Sequence, residues 1–218
     1  MLFHRYSTVV ERDSAAAPAR YAAVGLPVAW LVGVALFPVV LPRTAALAGG
    51  LVDLRAHPIA GVVHFVLLGV VAPALCLIAA APTVLRLRSA GTRFSVVSAG
   101  IGACGVSVVQ LGFGAVLICT RPGVYGDQAI AAAFHDLDGV KAALVAVALV
   151  GIMSERWSST MRTRYRGVLV AATVVALTLY AVGTISDMGW LSVIAWVAVP
   201  LTLVTVCDLA GDRPSSVG

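Results

Sequence analysis

Residues 134–153 read Phe-His-Asp-Leu-Asp-Gly-Val-Lys, then Ala-Ala-Leu-Val-Ala-Val-Ala-Leu-Val-Gly-Ile-Met. The second part, Ala142–Met153, is apolar without a break, and such a run belongs in a membrane or a buried core. The first part sets His135, Asp136, Asp138 and Lys141 within seven positions at its mouth. An Asp or Lys at mid-bilayer is penalised by roughly 2.5–3.5 kcal/mol on insertion scales. Either these groups lie among headgroups and cost little, or they face a wet or paired interior and have a task there.

The rest of the chain decides for the membrane. Its 218 residues are 60% hydrophobic and 11% charged, with mean hydropathy +0.99, against about 25% charged residues in soluble domains. Apolar runs occupy Tyr21–Leu41, His57–Ala81, Ser95–Thr120, a fourth beginning between Ala129 and Leu137 and ending near Met153, Gly167–Ile185 and Met188–Leu209. Pro27, Pro38 and Pro200 fall inside them, which membrane helices tolerate. The expected fold is all-α, an integral membrane bundle of six transmembrane helices. Residues 1–20 form an N-terminal arm, 21–209 the transmembrane domain and 210–218 a tail. No small-residue cleavage site follows the arm, so no removable signal peptide is expected.

Six spans put both termini on one side, and the arginines choose which. Arg5, Arg12, Arg20, Arg86, Arg88, Arg93, Arg156, Arg162, Arg164, Arg166 and Arg213 share it, against Arg43, Arg55 and Arg121 opposite. Both termini are therefore expected in the cytoplasm of a multi-pass cell-membrane protein. The net charge of +5 then reflects cytoplasmic loops and calls for no nucleic-acid partner. Asp53, His57, Asp127, His135, Asp136, Asp138 and Asp187 gather at or near the outer face. His64 lies about 10 Å below His57, from seven residues at 1.5 Å each. The inner face has arginines and few acids.

His135, Asp138 and Lys141 are spaced i, i+3 and i+6, so Asp138 can reach both along one helical face. Asp136 points roughly 100° away. Acids in an interfacial first turn, favoured by the helix dipole, are the bland alternative. Lys141, the only lysine, either pairs with Asp138 or snorkels to the headgroups. His57 and His64 share a face. Gln110 is placed to join two helices by a hydrogen bond. Asp187 is either a cap or part of the outer cluster. Trp190 suits the interfacial aromatic belt, whereas Tyr180 and Trp196 are deep enough to line a cavity. Glycines of the third run allow close packing, and with no preceding strand they make no nucleotide loop. Cys76, Cys104, Cys119 and Cys207 include no CxxC pair, which gives neither a zinc site nor a thiol oxidoreductase.

Three classes of function follow. In the first, a desolvated carboxyl group stays protonated and donates to an alkene or epoxide of a hydrophobic isoprenoid or lipid substrate. Asp138 or Asp187 is the donor, with His135 or His64 as partner and Asp136 beside them. Gln110, Tyr180, Trp190, Trp196, His57 and Lys141 line the substrate. Such an enzyme calls for a closed apolar pocket with aromatic walls, and for no cofactor. In the second, His57 or His64 faces His135 across a haem or metal, but four-His, two-haem patterning is absent, and no metal is expected. In the third, the protein is a small proton-coupled transporter or a non-enzymatic membrane protein, although no inverted repeat is evident.

The layout resembles a broad set of six-span bacterial membrane proteins with a polar first outer loop, a small-residue third span and a His near the start of the fourth. In length, span count and membrane-embedded acids it is also similar to the small membrane-bound terpene cyclases of bacterial indole-terpenoid and drimane-type pathways. That resemblance implies proton-initiated cyclisation of an isoprenoid. It rests on no shared motif: Asp136-Leu137-Asp138-Gly139 matches only the first half of DxDD, and DDxxD for diphosphate–magnesium binding is missing.

Overall fold

The computed structural model describes residues 2–36, 57–120, 127–160, 164–186 and 194–210, and among them there is no strand. They form α1 (Leu2–Ala35), α2 (Pro58–Leu85), α3 (Ala90–Cys119), α4 (Asp127–Thr160), α5 (Arg164–Ile185) and α6 (Ala195–Ala210). Four stretches are long and apolar enough to cross a membrane, namely Pro58–Leu85, Ala90–Cys119, Ala132–Glu155 and Tyr165–Ile185; Val197–Ala210 is apolar but shorter. This is a membrane-embedded helical protein. Asp53, Asp187 and Trp190 lie outside the described residues, as do the side chains of Asp127, His135 and Trp196, whose backbones are helical.

Each helix packs beside its neighbour in the chain, α6 returns to α1, and α2 also touches α6. Buried faces recur at three- and four-residue steps, as in α1 with Ala19, Ala22, Leu26 and Ala29, the stripe expected of packed helices. Alanine dominates the core, which joins Ala142, Ala146 and Leu149 of α4 to Ala176, Leu177 and Ala181 of α5. Lipid is as apolar as leucine, so close van der Waals contact rather than hydrophobic exclusion holds such helices together. Gly139 marks the closest approach. A Cβ there would strike the Thr184 hydroxyl, with Ile185 Cγ1 at 2.9 Å and the Ala181 carbonyl at 3.1 Å.

Three elements differ from the sequence reading. The Pro82–Phe94 loop contracts, since α2 continues to Leu85 and α3 starts at Ala90. Proline at 82 is accommodated within α2. The start of α3 is fixed by Ser89, whose hydroxyl accepts from the Thr92 amide at 3.2 Å, a standard N-cap. Another difference is a π-helical turn, Leu67–Val71, in the middle of α2. Helix α1 also runs through most of residues 1–20.

The end of the bundle carrying Arg86, Arg88 and Arg166 is stapled by polar contacts. Glu155, at the end of α4, accepts from the backbone amides of Arg88 (2.6 Å) and Ser89 (2.7 Å). Arg166 Nε lies 2.9 Å from Asp208 Oδ2, and Thr83 donates to the Leu209 carbonyl at 3.2 Å. The few acids at this end are both engaged, Glu155 by the amides at the start of α3 and Asp208 by Arg166.

Candidate functional site

The buried face of α3 runs Val96, Ala99, Ala103, Ser107, Gln110, Gly114 and Leu117. Small side chains bring α4 close along most of it. Gln110 is the largest polar group on this face and is 3% exposed, so its amide must find partners. It finds them on α4. Its Nε2 donates to Asp138 Oδ1 at 2.9 Å and to the Phe134 carbonyl at 3.0 Å, and its Oε1 accepts from Lys141 Nζ at 3.0 Å. Lys141 Nζ also lies 2.7 Å from Asp138 Oδ1. The two ions fix the amide's orientation, since only its NH2 can face the carboxylate and only its carbonyl the ammonium.

The result is a three-membered network with no net charge, in which each ion is charge-paired and also bonded to a neutral dipole. The side chains of Lys141 and Asp138 remain 29% and 27% exposed. The i, i+3 pairing of Asp138 with Lys141 and the bridging role of Gln110 are as the sequence indicates. Asp138, expected as the proton donor, has its Oδ1 2.7 Å from Lys141 Nζ.

Two more elements flank the network. His64 on α2 is 6% exposed, and its Nδ1 lies 2.8 Å from the Gly33 carbonyl of α1. Its ring stands edge-on to Phe65 at 5.4 Å, and Phe65 stands edge-on to Phe134 at 5.5 Å. Helices α2, α3 and α4 therefore each deliver a polar or aromatic group to this region. Sequence reasoning did not single out Phe65, Phe134 or the Gly33 carbonyl. Adjacency of Phe65 to His64 and of Phe134 to His135 was the available signal for the rings. The backbone acceptor had none.

The structure separates other candidates. His57 is exposed at the start of α2 and lines an open groove of about 500 Å³ with Leu36, Pro58 and Val63. It does not join His64, although seven residues put both on one face. Asp136 is exposed. A second open groove, about 490 Å³, runs between α4 and α5 past Ala146, Val150 and Ala181. Neither groove is lined by Asp138, and neither is the closed, aromatic-walled pocket that was expected. Among the described residues no three His, Cys, Asp or Glu side chains are grouped to hold a metal ion.

Asp138 and Lys141 fall within the apolar stretch Ala132–Glu155, where an isolated ion would be costly and a paired one less so. The chemistry available is proton exchange. Transfer of one proton across 2.7 Å converts the ion pair to a carboxylic acid and a free amine, both in reach of a third molecule. Compared with protein families, curated proteins and solved structures, the chain matches none.

Proposed function

We propose that this chain is a multi-pass enzyme of the cell membrane, with six spans and both termini cytoplasmic. Its Asp138–Lys141–Gln110 network carries out acid–base chemistry on a hydrophobic isoprenoid or lipid substrate. The observation that supports this is the half-buried ion pair within the apolar stretch Ala132–Glu155, clamped by a buried amide. Proton-initiated terpene cyclisation is the sharpest form. Lys141 first passes its proton to Asp138. The acid protonates an alkene or epoxide, the cation migrates, and the Lys141 amine removes a proton from carbon, which restores the pair. Atoms balance as an isomerisation, with the Phe65–Phe134 rings at hand to stabilise positive charge.

The test uses membranes containing the protein and linear isoprenoids, free and indole-linked, with and without a terminal epoxide. A product of unchanged mass and new retention time is expected, lost in Asp138→Ala and in Asp187→Ala if that acid takes part. No product from any substrate would sink the enzyme. The ion pair itself favours one second reading, a small proton-coupled carrier using the same exchange. Proton flux into proteoliposomes, abolished by Asp138→Asn, would support that instead.

A further inference from the structure

Lys141 is the only lysine in the chain, and every other non-histidine cation is an arginine. A partner needed only for charge would be served at least as well by arginine, whose fork pairs with a carboxylate through two bonds. What lysine adds is an amine that can lose its proton and attack a carbonyl. Here that amine is 2.7 Å from a carboxylate able to take the proton, and it is 29% exposed, hence reachable. Gln110 Oε1 holds the nitrogen in place at 3.0 Å.

The geometry points to Lys141 as an imine-forming site for a hydrophobic aldehyde, with Asp138 as counter-ion. Asp138 accepts the ammonium proton. The free Nζ attacks the aldehyde carbon, a C–N bond forms, and the carbinolamine loses water to give the imine. The proton held by Asp138 returns to the imine nitrogen. Overall, aldehyde and ammonium become iminium and water, and the carboxylate remains. No oxidant or further reactant enters. A long-chain or isoprenoid aldehyde suits the site because it partitions into the bilayer. The apolar surroundings of α3 and α4 also limit the water that would hydrolyse the product. This inference uses the site of the proposed enzyme but requires no isomerisation.

The full chain in lipid nanodiscs, treated with all-trans-retinal as the C20 aldehyde probe and then with cyanoborohydride, tests it by intact mass and peptide mapping. One adduct per chain is expected on the peptide containing Lys141, lost in Lys141→Arg. Before reduction, the bound probe should absorb to the red of free retinal. Asp138→Asn should lower the pH at which that band is lost by about one to three pH units, the scale of an adjacent opposite charge. No adduct, or one confined to the N-terminal amine, would overturn the assignment, as would a band indifferent to Asp138→Asn. An adduct without isomerised product keeps this inference and removes cyclisation; isomerised product without an adduct does the reverse.

Discussion

Replacing Lys141 with methionine leaves the Asp138 carboxylate with the Gln110 amide as its partner among the described residues. At an effective dielectric of 20, unit charges 2.7 Å apart attract by about 6 kcal/mol. Desolvating each ion costs several kcal/mol, which cancels most of that, and the remaining exposure of both side chains screens it further. A net coupling of about 1–2 kcal/mol is therefore expected from the cycle Asp138→Asn, Lys141→Met and their combination. The single Lys141→Met should cost more, about 1–3 kcal/mol, because it strands a charge. The double variant should be no less stable than Lys141→Met alone. Unfolding in mixed micelles by increasing SDS fraction, followed by helical circular dichroism, measures all four corners. A coupling below about 0.5 kcal/mol, the level at which independent sites add, would refute the claim that the two residues act as one unit.

Gly139→Ala places a methyl group against Thr184, Ile185 and the Ala181 carbonyl. It should destabilise the bundle by about 1–3 kcal/mol, the usual range for overpacking, visible as a lower thermal midpoint in detergent; an unchanged midpoint would mean that α4 and α5 do not pack this tightly. Glu155→Ala removes the acceptor of the Arg88 and Ser89 amides. Those two amides should exchange with deuterium markedly faster than in the parent chain, while amides of mid-α3 keep their protection. Equal exchange at 88 and 89 would rule out the staple.

The membrane class could be read from the sequence because composition alone excludes a soluble core, and the i, i+3 rule placed Asp138 against Lys141 without any knowledge of tertiary packing. Gln110 was also legible in part: a lone amide in an apolar run has to bond across to a neighbour. Which neighbour it chose depends on how α3 and α4 slide along each other. That offset is set by small-residue contacts spread over many positions, and no local pattern records it. His57 and His64 show the converse. Their shared face was a valid inference from spacing, yet one lies at the helix start in the open and the other under α1. Glu155 was missed because it acts on backbone amides of another helix, for which side-chain pairing rules have no vocabulary.

The π-helical turn at Leu67–Val71 has a consequence for how the site is specified. His64 and Ala72 are eight residues apart, and in an uninterrupted α-helix at about 100° per residue their directions would differ by roughly 80°. A π turn absorbs one extra residue and brings the difference down to roughly 20°, so His64 falls into line with the buried Ala72, Ala79 and Thr83. The upper and lower halves of α2 are thus two rods joined out of phase. Whether His64 faces the Gly33 carbonyl is decided by how the helix winds through the π turn, not by a residue identity. Removing any one amino acid from Leu67–Val71 would let α2 run as an unbroken α-helix with His64 seven residues from Ala72, again roughly 20° apart, so the histidine should keep its place while the π turn disappears.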